Sequence, residues 1–252
     1  MASLRSFIAV LFTSLWGWGS LVAAIEAPTY ELKIITEDWA PYNYQENGQI
    51  SGFSVEIVQA MMHQLGETHT ITVYPGARGE SMLDHQANIM NFSLFRTPER
   101  ENRYKWIGPI SQESIYFYKR KDDQRIFKSI SDIKKVAKIA IPHKGLVASY
   151  VDTLKLSNVH KMPQKDAQFR HVLMGRADLL ANVTPLGISY YLKQLNESSD
   201  ALIKTQFKLL EFPLYIACSK QMPNDIVIRW QSALDQVKAS GEFDRIYNKY
   251  LH

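Results

Sequence analysis

Cysteine is nearly absent from this chain of 252 residues, and its histidines are not grouped. Cys218 is the single cysteine, so the fold has no internal disulfide and must be held together by its core. The seven histidines show no HxxxH, HxH or Cys-His spacing. We therefore expect no structural metal site and no cofactor. No Gly-x-Ser-x-Gly motif occurs, which argues against a hydrolase of that type.

A strong excess of one charge is also missing. Lys and Arg number 29 against 25 Asp and Glu, for a formal net charge of +4. This balance is too even to predict nucleic-acid binding. Hydrophobic residues make up 46% of the chain, which favours a globular fold with a real core over disorder.

A long apolar run occurs in the first 24 residues, where Arg5 precedes the apolar segment and Val-Ala-Ala ends it. The pattern predicts a secretory signal peptide, residues 1–24, cleaved after Ala24, and hence a periplasmic or secreted protein. A membrane anchor is the alternative, although Gly17 and Gly19 interrupt a run that is short for a bilayer. No cysteine lies near the cleavage site, which excludes lipid attachment there.

From Glu31 onward, strand and helix patterns alternate, which predicts an α/β fold. The strands of the first series are ELKIIT, HTITVYP and ANIMNFSL, the last apolar enough to be a buried parallel strand. GFSVEIVQAMMHQLG predicts a helix that stops at Gly66 and presents one apolar face. That face comprises Val55, Val58, Met62 and Leu65. A further helix is expected around residues 79–85.

A second α/β series begins after the charged segment that follows SIYFYK. Its expected helices are SISDIKK, residues 148–154, DAQFRHVLMG with Asp166 as N-cap, and PLGISYYLKQL opened by Pro185. Its expected strands are VAKIAI, residues 159–162, and ADLLANV. The strand EFPLYIACSK, the amphipathic helix PNDIVIRWQSALDQVKASG and the helical segment GEFDRIYNKY follow. The helix face comprises Ile226, Trp230, Ala233 and Val237.

This order predicts two lobes, because the chain leaves the first series through SIYFYK and returns to it through LLEFPLYIA. We expect one lobe from residues 25–115 with 215–252, and the other from residues 116–214. Each lobe should carry a mixed, mostly parallel sheet flanked by helices. Hinge motion is expected at residues 114–119 and 211–218, and the cleft between the lobes is the natural binding site.

The chain from about Leu32 to Tyr250 resembles the periplasmic solute-binding proteins of amino-acid ABC importers, which have the type II or Venus-flytrap fold. Four stretches carry the resemblance: APYNYQENGQISGFSVEIV, RTPERENRYKWIGPI, GRADLL and GEFDRIYNKY. Each is weak alone. Their order and spacing are specific for the fold.

The resemblance implies an arginine clamp for a ligand carboxylate at Arg100, a role suited to a planar guanidinium. The alternative is a surface residue paired with Glu99 or Glu101. Ser93, at the end of the preceding strand, would add a hydroxyl or backbone contact. Arg96 either faces the cleft or solvates the turn. Pro75 to Arg78 is similar to a Pro-x-x-Arg helix start found in some relatives, which makes Arg78 a candidate second cation.

Asp38, Trp39 and Tyr42 follow the first strand, where this fold places ligand contacts. Aromatic side chains there typically form a wall against the ligand. The alternative for Trp39 and Tyr42 is core packing, equally favoured for Trp39 and less favoured for Tyr42.

The second lobe departs from the family's pattern. The run HKGLVASY keeps Gly145, with Lys144 beside it, but lacks the hydroxyls that usually complete the carboxylate site. Asn182 and Thr184 stand near a position where an acidic residue usually pairs with the α-ammonium. A buried ammonium without a carboxylate is costly. The sequence therefore leaves an acid-rich ligand at least as favoured as an ordinary amino acid.

These observations predict a monomeric periplasmic solute-binding protein that captures a small carboxylate-bearing ligand and delivers it to an ABC permease, not an enzyme. One alternative is a stand-alone sensor that acts on a membrane receptor. The other is an enzyme similar to cyclohexadienyl dehydratase, with Glu37, Asp38 or His143 as general acid or base.

Overall fold

The computed structural model describes residues 31–46 and 48–251. The strands are β1 (Lys33–Thr36), β2 (Tyr44–Glu46), β3 (Gln49–Ser51), β4 (Ile71–Val73), β5 (Ile89–Phe95), β6 (Lys105–Arg120), β7 (Ile139–Pro142), β8 (Val159–Met162), β9 (Leu179–Leu180) and β10 (Leu202–Cys218). The helices are α1 (Phe53–Leu65), α2 (Gly76–His85), α3 (Pro98–Glu101), α4 (Ile130–Ile133), α5 (Leu146–Thr153), α6 (Lys165–Leu173), α7 (Pro185–Gln194), α8 (Asn224–Ala239) and α9 (Glu242–Leu251). The α/β prediction is confirmed. The predicted signal peptide, residues 1–24, lies outside the described residues.

Eight of these strands form one sheet in the order β4-β1-β5-β10-β6-β9-β7-β8, and β2 and β3 form a separate hairpin. Strand β1 pairs in parallel with β4 and β5, and β7 pairs in parallel with β8 and β9. Strands β6 and β10 are the long members and run antiparallel to each other. Each parallel group therefore attaches to one end of the same antiparallel pair.

The sheet narrows to two strands in its middle. Strand β10 pairs with β5 only from Leu214 onward, and β6 pairs with β9 only at Tyr118. Between these points, residues 112–117 of β6 and 205–213 of β10 pair with no other described strand, and they pair with each other from Gln112 with Pro213 to Tyr116 with Lys208. We call this two-stranded part the waist. It contains part of each joining stretch expected from the sequence.

Buried apolar faces of the helices hold the sheet in place. Helix α1 buries Val55, Val58 and Met62, and Gly66 ends it in the left-handed conformation that glycine tolerates best. Helix α8 packs against α1 and β6 and buries Trp230 completely. The periodicity of both helices was therefore a sound guide.

Some local predictions need correction. Asp166 is not the N-cap of α6, because the helix begins after Gln164 and Asp166 lies in its first turn. A carboxylate there still stabilises the helix dipole. Strand β9 is only two residues long, and the β2–β3 hairpin was not predicted. Among the described residues, no helix is both long and apolar enough to cross a membrane.

Candidate functional site

Two adjoining cavities lie where β1 and β5 end side by side. The carboxyl ends of neighbouring parallel strands commonly form such sites. The inner cavity measures about 210 Å³ and the outer about 480 Å³. Four residues line both cavities, and we call them the wall: Glu37, Glu80, Leu94 and Arg100. Cavities of a few hundred Å³ hold small metabolites.

Arg100 is fixed in this wall by two contacts. It lies on the short helix α3, which directs its side chain back toward the end of β5. Its Nη1 donates to the carbonyl oxygen of Phe95 at 3.2 Å, and its Nη2 forms an ion pair with Glu80 of α2. Both side chains stay partly accessible, 23% for Arg100 and 32% for Glu80. The pairing with Glu99 or Glu101 considered from the sequence is therefore not what the structure has.

Glu37 supplies a second carboxylate beside Arg100. Burial raises the pKa of Glu37, the positive charge of Arg100 opposes that shift, and the charges of Glu80 and Asp38 add to it. The carboxylate lies over the first turn of α2: a Cβ added to Gly76 would come within 2.5 Å of Glu37 Oε2. Gly76 thus gives Glu37 access to the positive end of a helix.

Aromatic rings stand next to the cavities. Phe95 lines the outer cavity, and its ring lies 5.6 Å from that of Trp39 and 4.1 Å from that of Phe212. Trp39 stacks in turn on Tyr42 at 4.4 Å. Trp39 is half-buried, whereas Tyr42 is buried. The rings offer an apolar and cation-tolerant surface beside the carboxylates.

Ser93 lines the outer cavity in an unusual conformation. Its φ of 63° is rare for a residue other than glycine, and its buried Oγ has no hydrogen-bond partner among the described residues. Such conformations tend to occur at binding sites. Ser93 is therefore a hydroxyl that a ligand could engage.

Arg78 and Arg96 are not among the residues that line either cavity. Arg78 is exposed and lies 4.5 Å above the Tyr74 ring. Arg96 forms a bidentate ion pair with Glu101, at 2.6 and 2.5 Å, and lies over the rings of Trp106 and Tyr215. These contacts fit the alternative in which Arg96 solvates the turn and does not face the cleft.

The second series contributes to the outer cavity through Leu146, the first residue of α5. Gly145 precedes this helix with a φ of 92°, and Lys144 beside it is exposed. Asn182 donates to Gln168 Oε1 at 2.6 Å. Thr184 is buried as the N-cap of α7.

Asp38 is exposed and faces a cation that sequence reasoning missed. Lys165 Nζ donates to the hydroxyl oxygen of Tyr191 at 2.9 Å and lies 4.5 Å over the ring. Burial lowers the pKa of Lys165, and the negative charge of Asp38 opposes that shift. The cation follows Pro163 and Gln164, the two residues after β8, a position that no local motif marks.

The charged side chains of the wall are suited to binding a small charged ligand. Glu37, Glu80 and Arg100 bring two carboxylates and one guanidinium together, with aromatic rings and the Ser93 hydroxyl beside them. Among the described residues, no group of three or more His, Cys, Asp or Glu side chains could hold a metal ion.

Comparisons with known proteins identify the family of the chain. The sequence profile of the bacterial extracellular solute-binding proteins, family 3, matches residues 32–252. The probable amino-acid-binding protein YxeM of Bacillus subtilis (strain 168) is 24% identical over 220 residues, covering 84% of this chain and 80% of that protein.

Solved structures show the same fold. An ancestral cationic amino acid solute binding protein aligns with a TM-score of 0.74 at 22% identity, covering 88% of this chain and 95% of its own. A putative binding component of an ABC transporter from Wolinella succinogenes, complexed with lysine, aligns with a TM-score of 0.73 at 19% identity, covering 88% and 96%.

Proposed function

This chain belongs to the bacterial extracellular solute-binding proteins, family 3, and from that premise we propose that it captures a basic amino acid at Arg100 and delivers it to an ABC permease. Lysine and arginine are the ligands meant. The amino-acid class follows from the family's relatives. The basic side chain follows from the charges of the wall.

Charge complementarity is the observation that carries the proposal. The wall shared by the two cavities offers one cation, Arg100, and two anions, Glu37 and Glu80, and the outer cavity adds Glu99 and Arg103, whose formal charges cancel. Lysine offers the inverse set: one carboxylate and two ammonium groups. The ligand carboxylate would take Arg100 from Glu80, and the freed Glu80 and the neighbouring Glu37 would each receive an ammonium. A dicarboxylate would leave Glu37 and Glu80 facing like charges, which disfavours the acid-rich ligand considered from the sequence.

The position of the cavities supports capture by closure. Residues 25–115 with 215–252 would form one lobe and residues 116–214 the other, joined through the waist. Leu146 reaches the outer cavity from the second lobe, so a ligand there would contact both lobes. A ligand that contacts both lobes favours the closed form by its differential affinity. The Wolinella relative, described as a binding component of an ABC transporter, supports delivery to a permease.

Titration calorimetry of the purified protein with lysine, arginine, leucine and glutamate tests the ligand class. We expect lysine or arginine to bind and glutamate not to. In a thermal-shift assay, a ligand at about 1,000 times its dissociation constant should add about 4 kcal/mol, or roughly 10 °C.

Arg100→Ala should abolish binding while the fold stays intact. Arg245→Ala is the matched control, because Arg245 forms a solvent-accessible ion pair with Glu242 on α9. Preference for glutamate, or unchanged lysine affinity in Arg100→Ala, would contradict the assignment.

Delivery has a separate test. Deleting the gene should abolish uptake of the ligand by the source cells. Normal uptake together with loss of a ligand-dependent response would favour the sensor alternative instead.

A further inference from the structure

A buried chain of hydrogen bonds links three distant parts of the sequence. The Tyr42 hydroxyl lies 2.6 Å from Glu113 Oε2 and 2.7 Å from Thr184 Oγ1. All three residues are almost inaccessible, with exposed fractions of 1%, 2% and 2% respectively. None of them lines the cavities at Arg100. The chain is therefore separate from the ligand wall.

The direction of each hydrogen bond in this series follows from the number of hydrogens that each group can donate. Thr184 Oγ1 accepts from the backbone N–H of Gly187 at 3.1 Å, in the first turn of α7. A hydroxyl has one hydrogen to give. With Glu113 ionised, Thr184 donates to Tyr42 and Tyr42 donates to Glu113. With Glu113 protonated, both of these bonds can reverse and neither is lost.

The three hydrogen-bonded residues lie where their contacts can affect the relative position of the two lobes. Glu113 lies in the waist, opposite Phe212 of β10. Tyr42 follows β1 in the first series, and Thr184 follows β9 in the second. The chain therefore ties an element of each lobe to the strand that joins them.

We propose that Glu113 and Tyr42 are positioning residues that hold the lobes closed over the ligand, and that closure takes up a proton on Glu113. The inference rests on the proposed function for its ligand. In addition to the contacts that the ligand makes at Arg100, the lobes would be joined by a hydrogen-bonded tie, Glu113–Tyr42–Thr184, whose residues do not touch the ligand.

The groups around Glu113 support protonation in the closed form. Tyr42 faces it from the segment after β1, Tyr118 from β6 and Tyr247 from α9. No described lysine or arginine is among the groups that shift its pKa. Burial raises the pKa of Glu113, and the hydrogen bond from Tyr42 offsets part of that shift. An opened cleft would admit water to the carboxyl and return it toward its ordinary pKa of about 4.3.

The sign of the pH effect follows from this difference. A carboxyl whose pKa is raised in the closed form favours closure fully below its ordinary pKa. The advantage is lost as pH rises toward the raised value, by about tenfold in the closure equilibrium for each unit of pKa difference. Ligand affinity should fall in the same interval, because the ligand binds the closed form.

The first test measures the lysine dissociation constant between pH 4 and pH 8 for the wild type and Glu113→Gln. An amide mimics the protonated carboxyl, so the two constants should converge as pH falls toward 4, and Glu113→Gln should bind more tightly at pH 8. The ratio of the two constants separates Glu113 from Glu37, which titrates in both proteins. A ratio that does not change with pH would overturn the proton linkage.

Tyrosine variants test the tie itself. Tyr42→Phe should weaken lysine binding by about fivefold, the worth of about 1 kcal/mol for one hydrogen bond. Tyr118→Phe is the matched control: Tyr118 is a buried tyrosine that also faces Glu113, and its hydroxyl has no hydrogen-bond partner among the described residues. Equal effects of the two substitutions would overturn the role of Tyr42.

A ligand-free measurement keeps this inference distinct from the proposed function. Spin labels on Asn102→Cys and Ser149→Cys, both exposed positions, would report the lobe separation, and buried Cys218 would stay unlabelled. The wild type should open as pH rises from 5 to 8, whereas Glu113→Gln should not. Opening in both proteins, or in neither, refutes the inference even if lysine binds. If lysine fails to bind but the pH effect on distance is seen, only the ligand assignment fails.

Discussion

Replacing Glu80 by glutamine should greatly reduce the preference for lysine over glutamate. Glu80 is paired with Arg100 in the wall of both cavities, and glutamine keeps its size and its capacity to accept a hydrogen bond from the guanidinium. The substitution changes the formal charge of the wall, counted over Glu37, Glu80 and Arg100, from −1 to zero. A cationic ligand should lose affinity, and an anionic ligand should gain it.

The magnitude follows from Coulomb's law and exposure. Two unit charges about 4 Å apart interact with about 4 kcal/mol at an effective dielectric constant of 20. Glu80 is about one-third accessible, so solvent and salt reduce this toward about 1 kcal/mol. Lysine and glutamate differ by two units of charge, so their relative affinity should change by about 2 kcal/mol. This corresponds to a fall of about 30-fold in the preference for lysine.

Titration calorimetry with lysine and glutamate at low ionic strength measures this ratio, with glutamate affinity obtained by displacement if it is weak. Glu242→Gln is the control, because it removes a carboxylate from an exposed ion pair on α9. An unchanged ratio in Glu80→Gln, or an equal change in Glu242→Gln, would show that the charge of the wall does not select the ligand.

Other residues make separate predictions. Gly76→Ala should weaken lysine binding by about tenfold, because the new Cβ would meet Glu37 Oε2 at 2.5 Å and one charge-assisted contact would be lost; calorimetry showing full affinity would contradict this. Trp230→Ala should lower the free energy of unfolding by about 3–5 kcal/mol in a urea titration, since the side chain is fully buried; a loss below about 1 kcal/mol would be inconsistent with that packing. Cys218 should resist iodoacetamide at pH 8 in the native protein and react after unfolding, because burial covers the thiol and raises its pKa, and rapid native labelling would refute the burial.

The elements that the sequence predicted best are those whose pattern is local. The apolar face of α8 and the stop of α1 at Gly66 depend on residues within one helix, and both lie as expected. The β2–β3 hairpin was missed although Asn47-Gly48 is a strong turn signal in the sequence. The N-cap of α6 was placed at Asp166 instead of Gln164 because cap positions and first-turn positions both favour an aspartate.

The partners of Arg100 could not be predicted, since they depend on strand order. Glu37 follows β1 and Glu80 lies on α2, and the parallel pairing of β1 with β5 together with the packing of α2 against β5 brings both to Arg100. Glu113 carries a weak signal: it is an acid separated by only Ser114 from the apolar run Ile115–Tyr118, which suggests burial. Nothing near Glu113 in sequence indicates Tyr42 or Thr184.

The waist also determines which deformations are mechanically soft. A ribbon of two hydrogen-bonded strands resists stretching along the chain, because its backbone is already extended, but it bends and twists more readily than a wide sheet. Shifts of register at Lys204/Lys208 and Lys208/Leu210 interrupt the ladder on β10 and lower its bending stiffness further. A fluorescent or force-sensitive reporter that spans the waist would therefore record rotation, with almost no change in contour length.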